Sequence, residues 1–295
     1  MNLRFEQIVI LGASSFDEQT RSALIPLSGK KIVYFNSADE LKQSGRSSSC
    51  DALLVSLRTI VDETILETLP SLRYIGILGS SFDAIDMEAC GRHSIVVRNV
   101  LEYCDFETAE FCLAQLLMLM RGVGPHLWKN EPRTLAGKHL GIVGMGAVGQ
   151  QFARLALGMR MKVSYYSRHK CEVPDLRTAT FVDRNELLRS SDVISLHVPV
   201  NTKALDIGDF HLIGENKILI NVCMGHLYKI EDLLDWLNKS QGTVILDALS
   251  AIYHPEVRGH DRAVISNQTA FVTQESNQRR LELFVQNMLD FLKSN

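Results

Sequence analysis

One stretch limits the fold of this chain more than any other: residues 138–168, KHLGIVGMGAVGQQFARLALGMRMKVSYYSR. An apolar run of strand length, residues 139–143, leads into Gly144, Met145, Gly146, Ala147, Val148 and Gly149, the spacing G-x-G-x-x-G. A helix-compatible segment (150–157) and a second strand-like run (162–166) complete a βαβ unit. Each glycine has its own reason to be there. Gly144 permits a tight turn out of the strand, Gly146 lets backbone approach a pyrophosphate with no Cβ in the way, and Gly149 lets the helix lie close on the strand. The helix N-terminus adds free N–H groups and partial positive charge for the phosphates. A dinucleotide site is the expectation.

The end of the second strand sharpens it. An NAD site places an acidic residue there to accept hydrogen bonds from the ribose. This chain has Ser167, Arg168, His169 and Lys170. A hydroxyl beside an arginine welcomes a 2′-phosphate that a carboxylate would repel, so NADP(H) is expected over NAD(H). A solvated basic turn without a ligand is the plainer alternative.

The length of 295 residues suits two domains, and the 46% hydrophobic content is enough for a sizeable core. A net charge of −3 argues against a nucleic-acid binder. Cys50, Cys90, Cys104, Cys112, Cys171 and Cys223 are scattered without C-x-x-C or metal spacing, which suits reduced thiols in a cytoplasmic protein and no metal site. The opening MNLRFEQIVILGASS has too short an apolar run for a signal peptide. The most apolar helix candidate, residues 111–120, falls short of the ~20 residues that span a bilayer. No membrane association is expected.

Residues 1–100 alternate short apolar runs (8–11, 31–35, 52–57, 74–78, 95–97) with helical or turn segments (20–27, 38–44, 62–69, 85–91). That is a βα repeat, hence a parallel sheet with flanking helices. Gly12 follows the first strand without further glycines at the required spacing, and reads as a strand-exit turn. A long helix over 106–121 and a connecting loop over 122–134 precede the dinucleotide unit. Further strands are expected at 179–182, 193–198, 217–223 and 243–246, helices at 184–188 and 230–237, and a last strand at 270–273. A C-terminal helix over 276–293 carries Leu281, Phe284, Val285, Met288 and Leu292 on one stripe and should pack back on the first domain.

With these motifs in order, the chain resembles the D-isomer-specific 2-hydroxyacid dehydrogenases over nearly its whole length. GSSFDAID (79–86), TAEF (108–111), LAGKHLGIVGMGAVG (135–149), SDVISLHVP (191–199), ILINVCMG (218–225) and ILD (245–247) carry the resemblance. It implies an α/β fold of two doubly wound parallel-sheet domains with a cleft between them. A flavodoxin-like substrate domain would be formed by 1–105 plus 275–295, and a Rossmann NAD(P)-binding domain by 106–274. It implies a homodimer too, although the segment after the long helix, often a dimer arm, is short here. Among cofactor residues it implies His197, Val198 and Pro199 with Thr202 on the adenine and ribose side. Val222, Cys223 and Met224 would face the nicotinamide, and Asp247 would hold the carboxamide. For His197 and Asp247 the plain alternatives are a core histidine and a strand-end cap.

The family's catalytic residues do not carry over. The arginine of N-x-x-R-G, which clamps the substrate carboxylate, is Met224 in Asn221-Val222-Cys223-Met224-Gly225. The histidine of T-P-H, which protonates the carbonyl oxygen, matches Glu275 in Thr273-Gln274-Glu275. The glutamate that tunes it has no clear equivalent in ALSAIYHPE (248–256), although Glu256 lies nearby, and the substrate loop Gly79-Ser80-Ser81 has lost its second glycine. Hydride transfer to a 2-keto acid needs positive charge for the carboxylate and a proton donor for the alkoxide. Loss of the arginine fork alone should cost on the order of several kcal/mol in the transition state. His226, Tyr253, His254 and Arg58 are candidate replacements, and a protonated Glu275 could act as an acid. Two readings follow. One is an NADPH-dependent oxidoreductase for a small carbonyl or hydroxy compound other than an ordinary 2-keto acid; the other is a non-catalytic NADP(H)-binding sensor or scaffold.

Overall fold

The computed structural model describes residues 4–44, 49–124 and 131–294. The expected connecting loop over 122–134 therefore lies partly outside the described residues. The chain divides into two compact units, Met1–Tyr103 with Gln274–Asn295, and Cys104–Thr273.

In the first unit the elements alternate as β1 (Ile8–Leu11), α1 (Glu18–Leu24), β2 (Val33–Phe35), α2 (Ala38–Gln43), β3 (Ala52–Ser56), α3 (Glu63–Glu67), β4 (Tyr74–Leu78), α4 (Met87–Arg92) and β5 (Val96–Arg98). The strands form one parallel sheet in the order β2-β1-β3-β4-β5. Strands β1 and β4 are buried along their whole length, as a sheet covered on both faces requires. The helices start where short acceptors allow. Asp17, Ser37, Asp62 and Asp86 each take a backbone N–H of the first turn.

The second unit begins with α5 (Asp105–Arg121) and continues as β6 (His139–Val143), α6 (Ala147–Gly158), β7 (Lys162–Tyr166), β8 (Thr180–Phe181), α7 (Arg184–Ser190), β9 (Val193–Leu196), α8 (Ile207–Ile213), β10 (Ile218–Asn221), α9 (Ile230–Ser240), β11 (Thr243–Leu246) and β12 (Ala263–Ile265). Its sheet is parallel in the order β12-β11-β10-β9-β6-β7-β8. Helices α5 and α6 meet in one core cluster, where Ala109, Cys112, Ala153 and Ala156 keep the two axes close. The last helix, α10 (Gln274–Ser294), returns to the first unit. There Phe291 stacks on Phe5 at 5.7 Å and lies tilted against Tyr74 at 4.8 Å, and the Phe284 ring fills the space beside Gly76.

Three expectations are corrected. The last strand is β12 at 263–265, not 270–273: the Ala270 N–H goes to the Asp247 carboxylate and the Val272 N–H closes a turn onto Thr269, so two of the stretch's N–H groups are already taken. Helix α6 starts three residues early because Gly146 is its N-cap. Helix α8 was not foreseen; Asp206 and Asp209 start it with a capping box.

Candidate functional site

The site is built where three adjacent strands of the second unit end. Gly144 donates its N–H to the Tyr166 carbonyl at 2.8 Å, and His197 donates to Val143 at 2.8 Å, so the exits of β6, β7 and β9 are tied together. The three glycines then separate by cause. Gly144 has φ +100°, and a Cβ there would lie 2.0 Å from the His197 carbonyl oxygen. A Cβ on Gly149 would lie 2.3 Å from the Gly144 carbonyl oxygen. Gly146 is different. Its φ is −76°, and a Cβ would meet nothing within 4 Å. The fold demands the first and the third glycine but not the second, whose bare backbone opens onto empty space. Helix α6 begins there with no side-chain cap, leaving first-turn N–H groups and the positive end of the helix available to an anion. That cradle fits a pyrophosphate.

A cavity of about 950 Å³ lies over this turn, lined by residues 143–146, 166–169, 197–199 and 202–204 with Cys171, Arg184 and Asp206. It brings together the expected Gly144, Met145, Gly146, Ser167, Arg168, His169, His197, Pro199 and Thr202. Ala147, Val148 and Gly149 sit just behind it in the first turn of α6. Arg168 is exposed and has no hydrogen-bond or ion-pair partner among the described residues. The Ser167 hydroxyl, however, donates to the His169 carbonyl within the turn, so its proton is already used. His197 turns its ring inward, with Nε2 2.9 Å from Ser195 Oγ and its edge against Phe152. Burial pushes its pKa down to about 4, so it is neutral at ordinary pH and contributes no charge. Lys203, Arg184 and Asp206 were not foreseen. Arg184 is committed to the fold, pairing with the buried Asp209 carboxylate and donating to the Ala204 carbonyl at 2.6 Å. Asp206 caps α8 and lies 3.7 Å from Lys203 Nζ, leaving no uncompensated acid in the cavity wall.

The loops after β10 and β11 hold the remaining expected residues of this unit. The Cys223 N–H donates to Asn221 Oδ1, and its thiol turns to the Leu196 carbonyl at 3.1 Å. Desolvation pushes that thiol up to about 12, which makes it inert. Val222 and Met224 are half-buried beside it, and Met224 brings no charge to the loop. Gly225 has φ +88° and abuts Asn201, whose Oδ1 accepts the His226 N–H at 3.4 Å. His226 itself is exposed, edge-on to Tyr253 at 5.7 Å and to His254 at 6.0 Å.

Two of the expected groups are deeply buried. Asp247 is 1% exposed, and its carboxylate accepts the N–H groups of Ser250 (2.7 Å) and Ala270 (2.9 Å); it ties two loops together as a strand-end cap. His254 is also 1% exposed, stacked on Tyr228 at 4.8 Å, and both ring nitrogens lack a partner among the described residues. It is a packing residue, since a ring sealed from water cannot exchange a proton with a substrate. Glu275 lies in the first turn of α10, and Gly79, Ser80 and Ser81 follow β4, so all four belong to the first unit. The residues that actually leave the last strand of the second unit are Ser266, Asn267 and Gln268, none of them a histidine; with the strand moved, the register that matched Glu275 to T-P-H moves with it. Arg58 and Glu256 are exposed. Among the described residues no group of three or more His, Cys, Asp or Glu side chains could hold a metal ion, and no helix is long and apolar enough to cross a membrane.

Comparison with known proteins agrees with this geometry. Residues 115–270 match the model of the D-isomer specific 2-hydroxyacid dehydrogenase, NAD binding domain. A hydroxypyruvate reductase of Blautia hydrogenotrophica is 27% identical over 292 residues, covering 90% of each chain. A glyoxylate reductase of Thermococcus litoralis is 31% identical over 274 residues, covering 82% of this chain and 81% of its own. Among solved structures, apo D-lactate dehydrogenase from Escherichia coli superposes with a TM-score of 0.83 at 19% identity over 98% of both chains, a likeness of fold.

Proposed function

The chain belongs to the D-isomer-specific 2-hydroxyacid dehydrogenase family, and from that premise we propose that it is an NADP(H)-dependent oxidoreductase for a carbonyl–alcohol pair whose substrate has no free carboxylate. The observation that carries the dinucleotide half is Gly146: its backbone is bare where no neighbour requires it to be, at the uncapped start of α6. The 2′-phosphate preference rests on Arg168, whose guanidinium has no partner among the described residues, and on Lys203, which lines the same cavity. The hydroxyl of Ser167 takes no donor part, since its proton stays in the turn.

The cradle at the start of α6 would hold a nicotinamide dinucleotide, whose chemistry would be hydride transfer to or from a carbonyl carbon. The protein's tasks are to orient the carbonyl, keep water away and deliver a proton to the oxygen as it becomes an alkoxide. Met224 offers an apolar, polarizable surface in place of a guanidinium, so a substrate carboxylate would be desolvated without a counter-charge, a strongly unfavourable change. A neutral carbonyl, such as an ester, amide or aldehyde, pays no such penalty. Asn267 and Gln268 leave β12 with amide N–H groups that can point a carbonyl oxygen but cannot give up a proton. His226, exposed on the loop two residues beyond Met224, is the titratable group assigned to that step. The six described cysteines are free thiols, which suits a reducing compartment such as the cytoplasm.

The test is NADPH oxidation by wild type and His226→Gln with a neutral carbonyl substrate. Turnover should fall by roughly 10²–10⁴ in the variant, with NADPH affinity retained. Unchanged turnover would remove His226 from the mechanism. Tight NADPH binding with no turnover across neutral and acidic carbonyls would instead favour the sensor reading.

A further inference from the structure

On the far side of the turn that carries Ser167 and Arg168 lies a second cavity, of about 540 Å³, within the range of small-molecule sites. It touches the first cavity only through Met145 and Cys171. Its inner wall is apolar and aromatic. Leu176 is buried in it, Tyr165 and Phe181 meet at 5.4 Å between ring centroids, and Phe181 keeps 39% of its surface open. Its rim is cationic. Lys170 and Arg177 are both exposed and have no partner among the described residues, against the single acid Glu172; the nearby Asp175 is already taken by Arg154 at 2.6 Å. An aromatic wall in a cavity lined also by two unpaired cations and one acid selects a flat ring bearing one negative charge.

The wall shared by the two cavities is held at one end only. Tyr165 Oη donates to the Cys171 carbonyl at 3.0 Å and accepts the Cys171 N–H at 3.2 Å, which anchors the Cys171 end of the 167–171 turn on β7 while Arg168, His169 and Lys170 stay exposed. Ser167, Arg168 and His169 face the dinucleotide cavity from that turn, Lys170 faces the second cavity, and Cys171 lines both. We propose that this second cavity binds a small aryl carboxylate and that its occupancy strengthens dinucleotide binding by ordering the turn the two sites share. The coupling half rests on the dinucleotide reading above; the binding half does not. Ordering entropy spent by the first ligand is spared the second, and linkage makes the effect reciprocal.

The probe is 1-naphthoate, titrated calorimetrically into the full-length chain, with 1-naphthamide as its uncharged control. Wild type should bind naphthoate in the millimolar range or tighter. Ala179→Trp, which puts a ring into the cavity, should weaken it by roughly tenfold. The exposed double change Lys170→Glu/Arg177→Glu should weaken naphthoate and leave naphthamide unaffected, and it carries the test if the Trp variant fails to fold. Saturating naphthoate should tighten NADPH binding by about threefold. Equal naphthoate affinity in wild type and both variants, or no binding by wild type at about 5 mM, overturns the site. Displacement of naphthoate by NADPH overturns it too, by placing the probe in the dinucleotide cavity. Unchanged NADPH affinity overturns the coupling. If NADPH fails to bind with or without the probe, the dinucleotide reading falls while the naphthoate titrations still decide the second site.

Discussion

Replacing the three glycines of the turn one at a time should separate what the fold needs from what the ligand needs. In Gly144→Ala an alanine must hold φ near +100° with its Cβ 2.0 Å from the His197 carbonyl oxygen. Backbone strain of ~1–3 kcal/mol and forced displacement of a neighbouring strand exit of similar size put the cost at about 2–6 kcal/mol. Gly149→Ala drives a Cβ to 2.3 Å from the Gly144 carbonyl oxygen; the clash costs ~1–3 kcal/mol, offset in part by about 1 kcal/mol of helix propensity. Gly146→Ala meets nothing within 4 Å at an ordinary φ of −76°, so its stability cost stays below about 1 kcal/mol, the scale of an N-cap change. Its effect falls on the ligand. A methyl group between the backbone and a pyrophosphate removes one or two hydrogen bonds to a charged acceptor, ~1.5–3 kcal/mol each, or roughly ten- to a hundredfold or more in affinity. Urea unfolding and NADPH fluorescence titration read the two effects separately. Gly146→Ala should unfold near the wild-type midpoint and bind NADPH weakly, whereas Gly144→Ala should unfold early. A Gly146→Ala protein that binds NADPH as wild type does would refute the argument, and so would one destabilised as much as Gly144→Ala.

Four further outcomes are expected. Arg168→Ala should weaken NADPH by roughly tenfold and leave NADH within about twofold, measured by the same titration. Asp247→Asn should lower stability by ~1–3 kcal/mol, seen as an earlier urea midpoint, because one of the two oxygens that accept the Ser250 and Ala270 N–H groups becomes a donor. His254 has its pKa lowered from 6.5 to about 4 by burial, so the unfolded chain binds the proton first. Its contribution is therefore complete above pH 6.5 and is lost as pH falls toward 4, by up to ~3 kcal/mol. His254→Phe should flatten that part of the stability–pH curve in denaturant titrations. Met224→Arg should raise kcat/KM for 2-keto acids relative to their esters by roughly tenfold or more, and an unchanged ratio would mean position 224 does not meet the substrate.

The fold was legible in the sequence because fully buried parallel strands leave short, continuous apolar runs. IVIL, YIGIL, HLGIV and TVIL became β1, β4, β6 and β11 with the expected ends. The turn at Gly144–Gly149 was legible too, since its constraints are steric and local. What failed depended on partners far along the chain. Residues 270–273 resemble a strand, yet the Ala270 N–H is claimed by Asp247, 23 residues earlier. His254 is a candidate because it follows Asp247 where the family's tuning glutamate is expected; its stacking on Tyr228 is set by the tertiary packing of two loops. Ser167 places a hydroxyl with no carboxylate beside it, but its donor is spent on the His169 carbonyl, a turn contact that composition does not encode. Lys203 carried no motif of its own, although its place just past Thr202, in the loop after β9, puts it in the lining of the same cavity as Arg168.

The decisive assay is NADPH oxidation by the purified chain with paired substrates, each a 2-keto acid and its methyl ester. The expected result is turnover of the esters, with the acids slower by roughly a hundredfold or more, the worth of ~3 kcal/mol for an uncompensated carboxylate beside Met224. Faster turnover of the acids than of their esters would contradict the account, for it would require a cation at the substrate that Met224 and its neighbours on the β10 loop do not supply.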